Sequence, residues 1–134
     1  MTLAPFYAAS LFIKVHISAA LLVAALTPLQ FWGFRKGSTA HRTVGYLWLG
    51  AMLVVSLSSF FIRSIFPVSI AGFGPIHLLS VLALYSIFTA IRYARAQNIT
   101  GHRKTLTFLA ISFWIAGALT FAPEGRIMAW IAAG

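Results

Sequence analysis

The chain of 134 residues has no cysteine and a single acidic residue, Glu124. Without cysteine there is no disulfide, no thiolate ligand, no cysteine-held iron–sulfur cluster and no thiol nucleophile, and thiol usage says nothing about compartment. One carboxylate is too few for paired-carboxylate glycosidases, Glu-fed di-iron bundles or calcium and magnesium sites. Charge as a whole is scarce, 8% of residues, where a soluble domain carries about 25%. Hydrophobic residues make up 60%. A single small domain, 1–134, with so little polar surface takes the bilayer as its solvent. The ten Lys and Arg give a net charge of +9, but they lie between apolar runs and not on a polar face. They are topology signals, and no nucleic-acid partner is expected. Phosphate loops, H-E-x-x-H zinc motifs, G-x-S-x-G nucleophile elbows and clustered H-x-x-x-H are absent too, so nothing supports phosphate binding, zinc hydrolysis, acyl transfer or desaturase-type iron.

What is present is apolar length. A helix needs about 20 apolar residues to cross the hydrocarbon, and four segments meet that length, roughly 11–32, 46–62, 75–94 and 106–123. Breaks fall at 35–38, 67–75 and 97–101, where Gly, Pro, Asn and Ser gather. Thr39 and Thr100 are expected N-caps, and Pro75 suits a first helical turn. Pro28 is expected to kink the first span. Lys14 sits near enough to the start of that span to snorkel. The apolar run 17–26 lacks a basic n-region and a convincing A-x-A site, so it reads as a first helix and not as a signal peptide. The segment 125–134 is too short to span and reads as interfacial.

The two loops on one side carry Arg35, Lys36, Arg42, Arg92, Arg95, Arg103 and Lys104, seven positives, against Lys14, Arg63 and Arg126, three, on the other. The positive-inside rule puts the basic loops in the cytoplasm and both termini outside, as in a bacterial inner-membrane protein. Trp32, Trp48, Trp114 and Trp130 lie near span ends and read as interfacial anchors.

Sliding the chain on itself exposes a duplication. At an offset of 61, His16 falls on His77 (77 − 16 = 61) and His41 on His102 (102 − 41 = 61), so all four histidines are used. Thr39 and Thr100, Arg42 and Arg103, and Phe60 and Phe121 superpose as well. Each half, approximately 11–65 and 72–126, is a helical hairpin, and two spans per half make the repeat parallel about the membrane normal. The fold class is therefore all-α, an integral membrane four-helix bundle running up-down-up-down. His16 and His77 share the outer depth, and His41 and His102 share the inner. With about 13 to 16 helical residues between the depths, ~20 to 24 Å of travel, one ion cannot engage all four, but one site at each end can form.

Two neutral imidazoles from facing helices suit a low-spin b-type haem, which needs neither cysteine nor carboxylate. His41, His77 and His102 lie in first turns, where the helix dipole disfavours imidazolium. Gly45 and Gly74 would let a flat macrocycle approach the backbone, and Arg42, Arg103 and Lys104 on the inner rim suit propionates or anionic headgroups. Iron with two histidine ligands has no open position, so an electron carrier is expected and not a catalyst. Two other readings stay open. Tyr85, Gln30 and Thr27 offer hydrogen bonds to a quinone carbonyl, and the histidines can be packing groups in a cofactor-free accessory or assembly subunit. Ser56, Ser58 and Ser59 read as helix–helix hydrogen-bonding groups rather than as a proton path.

At His41-Arg42-x-x-Gly45 and Gly101-His102-Arg103, within four spans over nearly the whole chain, the sequence resembles a family of small bacterial membrane proteins of unknown function. The placement of four histidines on four successive helices is also similar to the core of the transmembrane two-haem cytochromes b that pass electrons from ascorbate-like donors. That second resemblance implies one haem between His16 and His77 and another between His41 and His102, with iron as the metal. The expected partner is a larger membrane redox complex, a quinone or a second copy of the chain. The chain departs from those cytochromes in having four spans, no recognisable donor or acceptor loop, and His41 at the very edge of its span.

Overall fold

Four apolar stretches separated by turn residues fold as four helices. The computed structural model describes residues 9–61 and 75–119, together with Leu3, Ala4 and Tyr7. Helix α1 is Leu11–Pro28, prolonged by a π turn over Leu29–Gly33; α2 is Thr39–Ser59, α3 Pro75–Arg95 and α4 Ile99–Leu119. No strand occurs among the described residues. Arg63, Gly74, Phe121, Arg126, Trp130 and the segment 125–134 lie outside them.

The helix starts follow from short polar side chains. Ser10 accepts from the Ile13 amide at 3.4 Å. Helix α2 is capped by Ser38 and not by the expected Thr39: Ser38 has an extended backbone and its hydroxyl accepts from His41 N at 3.1 Å. Likewise Asn98, and not Thr100, caps α4, its Oδ1 accepting from Gly101 N at 2.9 Å. Ser and Asn outrank Thr as caps, and in each case the better residue just ahead takes the position, leaving the threonine helical. Pro75 opens α3 as expected. Pro28 has no amide hydrogen for the preceding turn, and the perturbation takes the form of the π turn that follows it.

Consecutive helices pack on one another, α1 on α2, α2 on α3 and α3 on α4. They run antiparallel: His16, early in α1, meets Val55 and Ser58, late in α2. One apolar cluster at mid-height joins all four, with Val23 from α1, Trp48, Ala51 and Met52 from α2, Ile87 from α3, and Leu109 and Ala110 from α4. Trp48 departs from expectation. It is not an interfacial anchor but the largest fully buried side chain, with Nε1–H donating to Thr27 Oγ1 at 2.9 Å. Its distance from the span's end put it among the anchors; its helix face puts it in the core. Trp32 and Trp114 are exposed as an anchor would be. The duplication extends into the packing, since Trp48 and Leu109 occupy matching positions (109 − 48 = 61) and both are buried.

Outward-facing positions carry large apolar groups such as Leu21, Leu57, Leu78, Phe88 and Ile115, a surface that water-soluble monomers rarely present. By length and composition Leu11–Gly33 and His77–Arg95 are the two candidate membrane spans among the described residues. Helices α2 and α4 have 21 residues each, about 31 Å. Their first turns hold His41-Arg42 and His102-Arg103-Lys104, which lowers their mean hydropathy.

Candidate functional site

The histidines gather at opposite ends of the bundle. Toward the end of α2, His16 approaches Val55 O and Ser58 Oγ, each at 3.0 Å from Nδ1, and His77 lies buried with its ring 6.3 Å from that of Phe60. His16 and His77 thus flank the same end of α2. At the other end His41 opens α2, and His102 in α4 reaches Ala90 O, late in α3, at 2.9 Å. The two depths inferred from the duplication are present in the fold, one histidine pair at each, with the apolar cluster between them.

The hydrogen bonds fix protons. A backbone carbonyl only accepts, so Nδ1 of His16 and of His102 must each carry the hydrogen that Val55 O and Ala90 O receive. In the neutral ring Nε2 is then the basic nitrogen, the state in which a histidine ligates a metal while its other nitrogen is held by a carbonyl. Ser58, which sequence reasoning assigned to helix contacts, also accepts from His16 while its hydroxyl donates to Val55 O at 3.1 Å. Ser59 bonds Ser80 across to α3. The serines therefore tie α2 to both neighbours beside His16 and His77.

His41 has a different partner. The Gln30 amide lies 3.0 Å from His41 O and 3.1 Å from its Nδ1. Because the carbonyl accepts, the amide end that faces it is the NH2 group, and Nδ1 beside it must accept as well. Gln30 Oε1 is buried without a hydrogen-bond partner. Gly45, expected to admit a macrocycle, instead admits this amide: a Cβ there would lie 2.8 Å from Gln30 Nε2. The sequence offers Gln30 only as one of several groups for a quinone carbonyl. Of the other two, Thr27 is engaged by Val23 O and Trp48, and Tyr85 is largely exposed.

Lys36 was missed as more than a topology charge. Its ammonium donates to Gln30 O at 2.6 Å and Phe31 O at 2.8 Å, closing the carbonyl end of the π turn with a positive charge. Burial and then the nearby Arg103 charge hold its pKa below the ordinary lysine value. His41 is likewise held below the ordinary imidazole value, first by burial, then by the charges of Lys36 and His102, with a hydrogen bond to the Gln30 backbone acting the other way. Its neutral form is favoured, and the like-charge couplings of His41 with His102 and of Lys36 with Arg103 show that these ends of both hairpins share one electrostatic neighbourhood. Arg42 and Arg103 are exposed at this rim. Thr100, Arg103, Lys104 and Thr107 line a shallow groove on α4.

No cluster of three or more metal-ligating side chains occurs among the described residues; what the fold offers is pairs. A family model described as predicted membrane protein (DUF2306) matches residues 13–132. No curated protein and no solved structure matches.

Proposed function

The chain belongs to the DUF2306 family of predicted membrane proteins, and on that premise we propose that it carries electrons across the bilayer through two b haems, held by His16 with His77 and by His41 with His102. The observation that carries this reading is the proton placement on His16 and His102, whose Nδ1–H groups are held by backbone carbonyls on neighbouring helices. A haem held by two histidines supplies a one-electron carrier with no open iron position. The protein's part is to keep each imidazole neutral and oriented, to separate the two ends with the Val23, Met52 and Leu109 layer, and to offer Arg42 and Arg103 to propionates or lipid headgroups at the rim. In this reading all four helices cross the bilayer, the basic loops face the cytoplasm and the chain sits in a bacterial inner membrane. Its redox partner is a quinone or a larger membrane complex.

A second reading has its own support. The bonds from His16 to α2 and from His102 to α3 join helices, as packing histidines in a cofactor-free accessory subunit would. The absorption spectrum of the detergent-purified protein separates the two. The haem reading expects a sharp b-type band in the reduced-minus-oxidised difference and about two haems per chain. Colourless protein from a haem-replete host overturns it in favour of the accessory subunit. His16→Ala and His77→Ala should remove one spectral component, His41→Ala and His102→Ala the other.

A further inference from the structure

The two halves of the duplication differ in what holds the second histidine of each. His102 is held by Ala90 O. The residue matching Ala90 in the first half is Leu29 (90 − 29 = 61), which lies in the π turn, and no bond joins it to His41. Gln30 takes over the contact, where the second half has Ile91 (91 − 30 = 61). We propose that Gln30 is a positioning residue that sets the proton on His41 opposite to its placement on His16 and His102.

The Gln30 NH2 is fixed by His41 O at 3.0 Å, so it donates to Nδ1 at 3.1 Å. Nδ1 therefore holds a lone pair, and in the neutral ring the hydrogen sits on Nε2. That is the reverse of His16 and His102. A metal or haem iron at His41 Nε2 must send this hydrogen to Nδ1, where it would point at an NH2 group, donor against donor. The conflict ends when the amide turns and presents Oε1, the atom now buried without a partner. The turned amide exchanges its bond to the His41 carbonyl for one from Nδ1–H. Gly45 leaves it room, since any side chain there would meet Gln30. The inner pair would therefore take a ligand only with this rearrangement at His41. The ligand is taken from the electron-transfer reading; the proton on His41 stands without it.

Nitrogen-15 spectra of histidine-labelled, cofactor-free protein in lipid test the proton directly. The expected result is Nδ1–H for His16 and His102 and Nε2–H for His41. In Gln30→Glu, whose carboxylate only accepts, Nδ1 of His41 gains a proton while His16 and His102 stay as they are. In Gln30→Leu, which lacks the amide, the Nδ1 resonance of His41 moves to its unbonded position, a result that remains available if the Glu variant does not fold. In haem titration one of the binding steps should tighten by roughly tenfold in Gln30→Leu relative to the wild type, the equivalent of one hydrogen bond. Nδ1–H on His41 in the wild type, or a His41 resonance indifferent to both substitutions, overturns the proposal. Failure to bind haem with the proton placed as stated overturns the electron-transfer reading and leaves the role of Gln30 supported.

Discussion

Which nitrogen of an imidazole holds the hydrogen is decided by a single neighbouring atom, and three of the four histidines here have that neighbour named: Val55 O, Ala90 O and the Gln30 amide. None of these partners follows from histidine spacing. The positions of the rings were legible in the sequence through the offset of 61, whereas the proton on each depends on a carbonyl or amide from another helix. His41 also yields a pH dependence. Its folded pKa lies below the unfolded value of 6.5, so the folded chain binds fewer protons through that window and stability falls as pH drops below about 6.5. Denaturant unfolding in detergent should show this between about pH 7.5 and about pH 5.5, and His41→Asn, with no ring to protonate, should flatten it. Trp48→Phe removes both volume at the centre of the core and the bond to Thr27, and should lower stability by about 2 kcal/mol in the same assay. An unchanged midpoint would contradict its place in the core.

Helix boundaries are set by a handful of side chains, and the turn between α3 and α4 shows how. Asn98 N donates to Tyr93 O at 2.9 Å and Gln97 N to Ala94 O at 3.2 Å, which closes α3 with a Schellman motif. Asn98 then caps α4, so one residue ends a helix and begins the next. Gln97 occupies the left-handed position with φ 58°, where glycine is favoured. Gln97→Gly should therefore stabilise the chain by about 1 kcal/mol, read as a higher unfolding midpoint. In the first hairpin Gly37, at φ 81°, already stands in the turn. Ser38→Ala should cost about 1 kcal/mol through the lost cap and loosen amide exchange in the first turn of α2, next to His41. The composition of both turns was readable, but which residue caps was not, because Ser38 and Thr39, or Asn98 and Thr100, compete and backbone geometry selects between them.

At the scale of the whole molecule the sequence carries an orientation that the fold by itself does not. Seven positive residues lie at the turns beside His41 and His102. We expect a cysteine at Ala40 or Ala96, both exposed near the inner ends of α2 and α3, to react with an impermeant thiol reagent only after the cytoplasmic face is opened. One at Ala71 should react in intact cells. Opposite labelling would put the His41 and His102 pair outside, and labelling of all three from one side would contradict four crossings. The sequence by itself determined the all-helical class, the bilayer as solvent, the duplication and the grouping of the histidines into two pairs, because these depend on composition and periodicity along the chain. Only the tertiary structure decided that Trp48 is core, that the α2 serines join His16 and Ser80 to one helix end, and that Gln30 meets His41 in the space beside Gly45. Those facts depend on which faces of separate helices meet, and hydrogen-bond direction at a half-buried histidine is fixed by a partner 11 residues away at Gln30 and 39 residues away at Val55, beyond the reach of any local pattern.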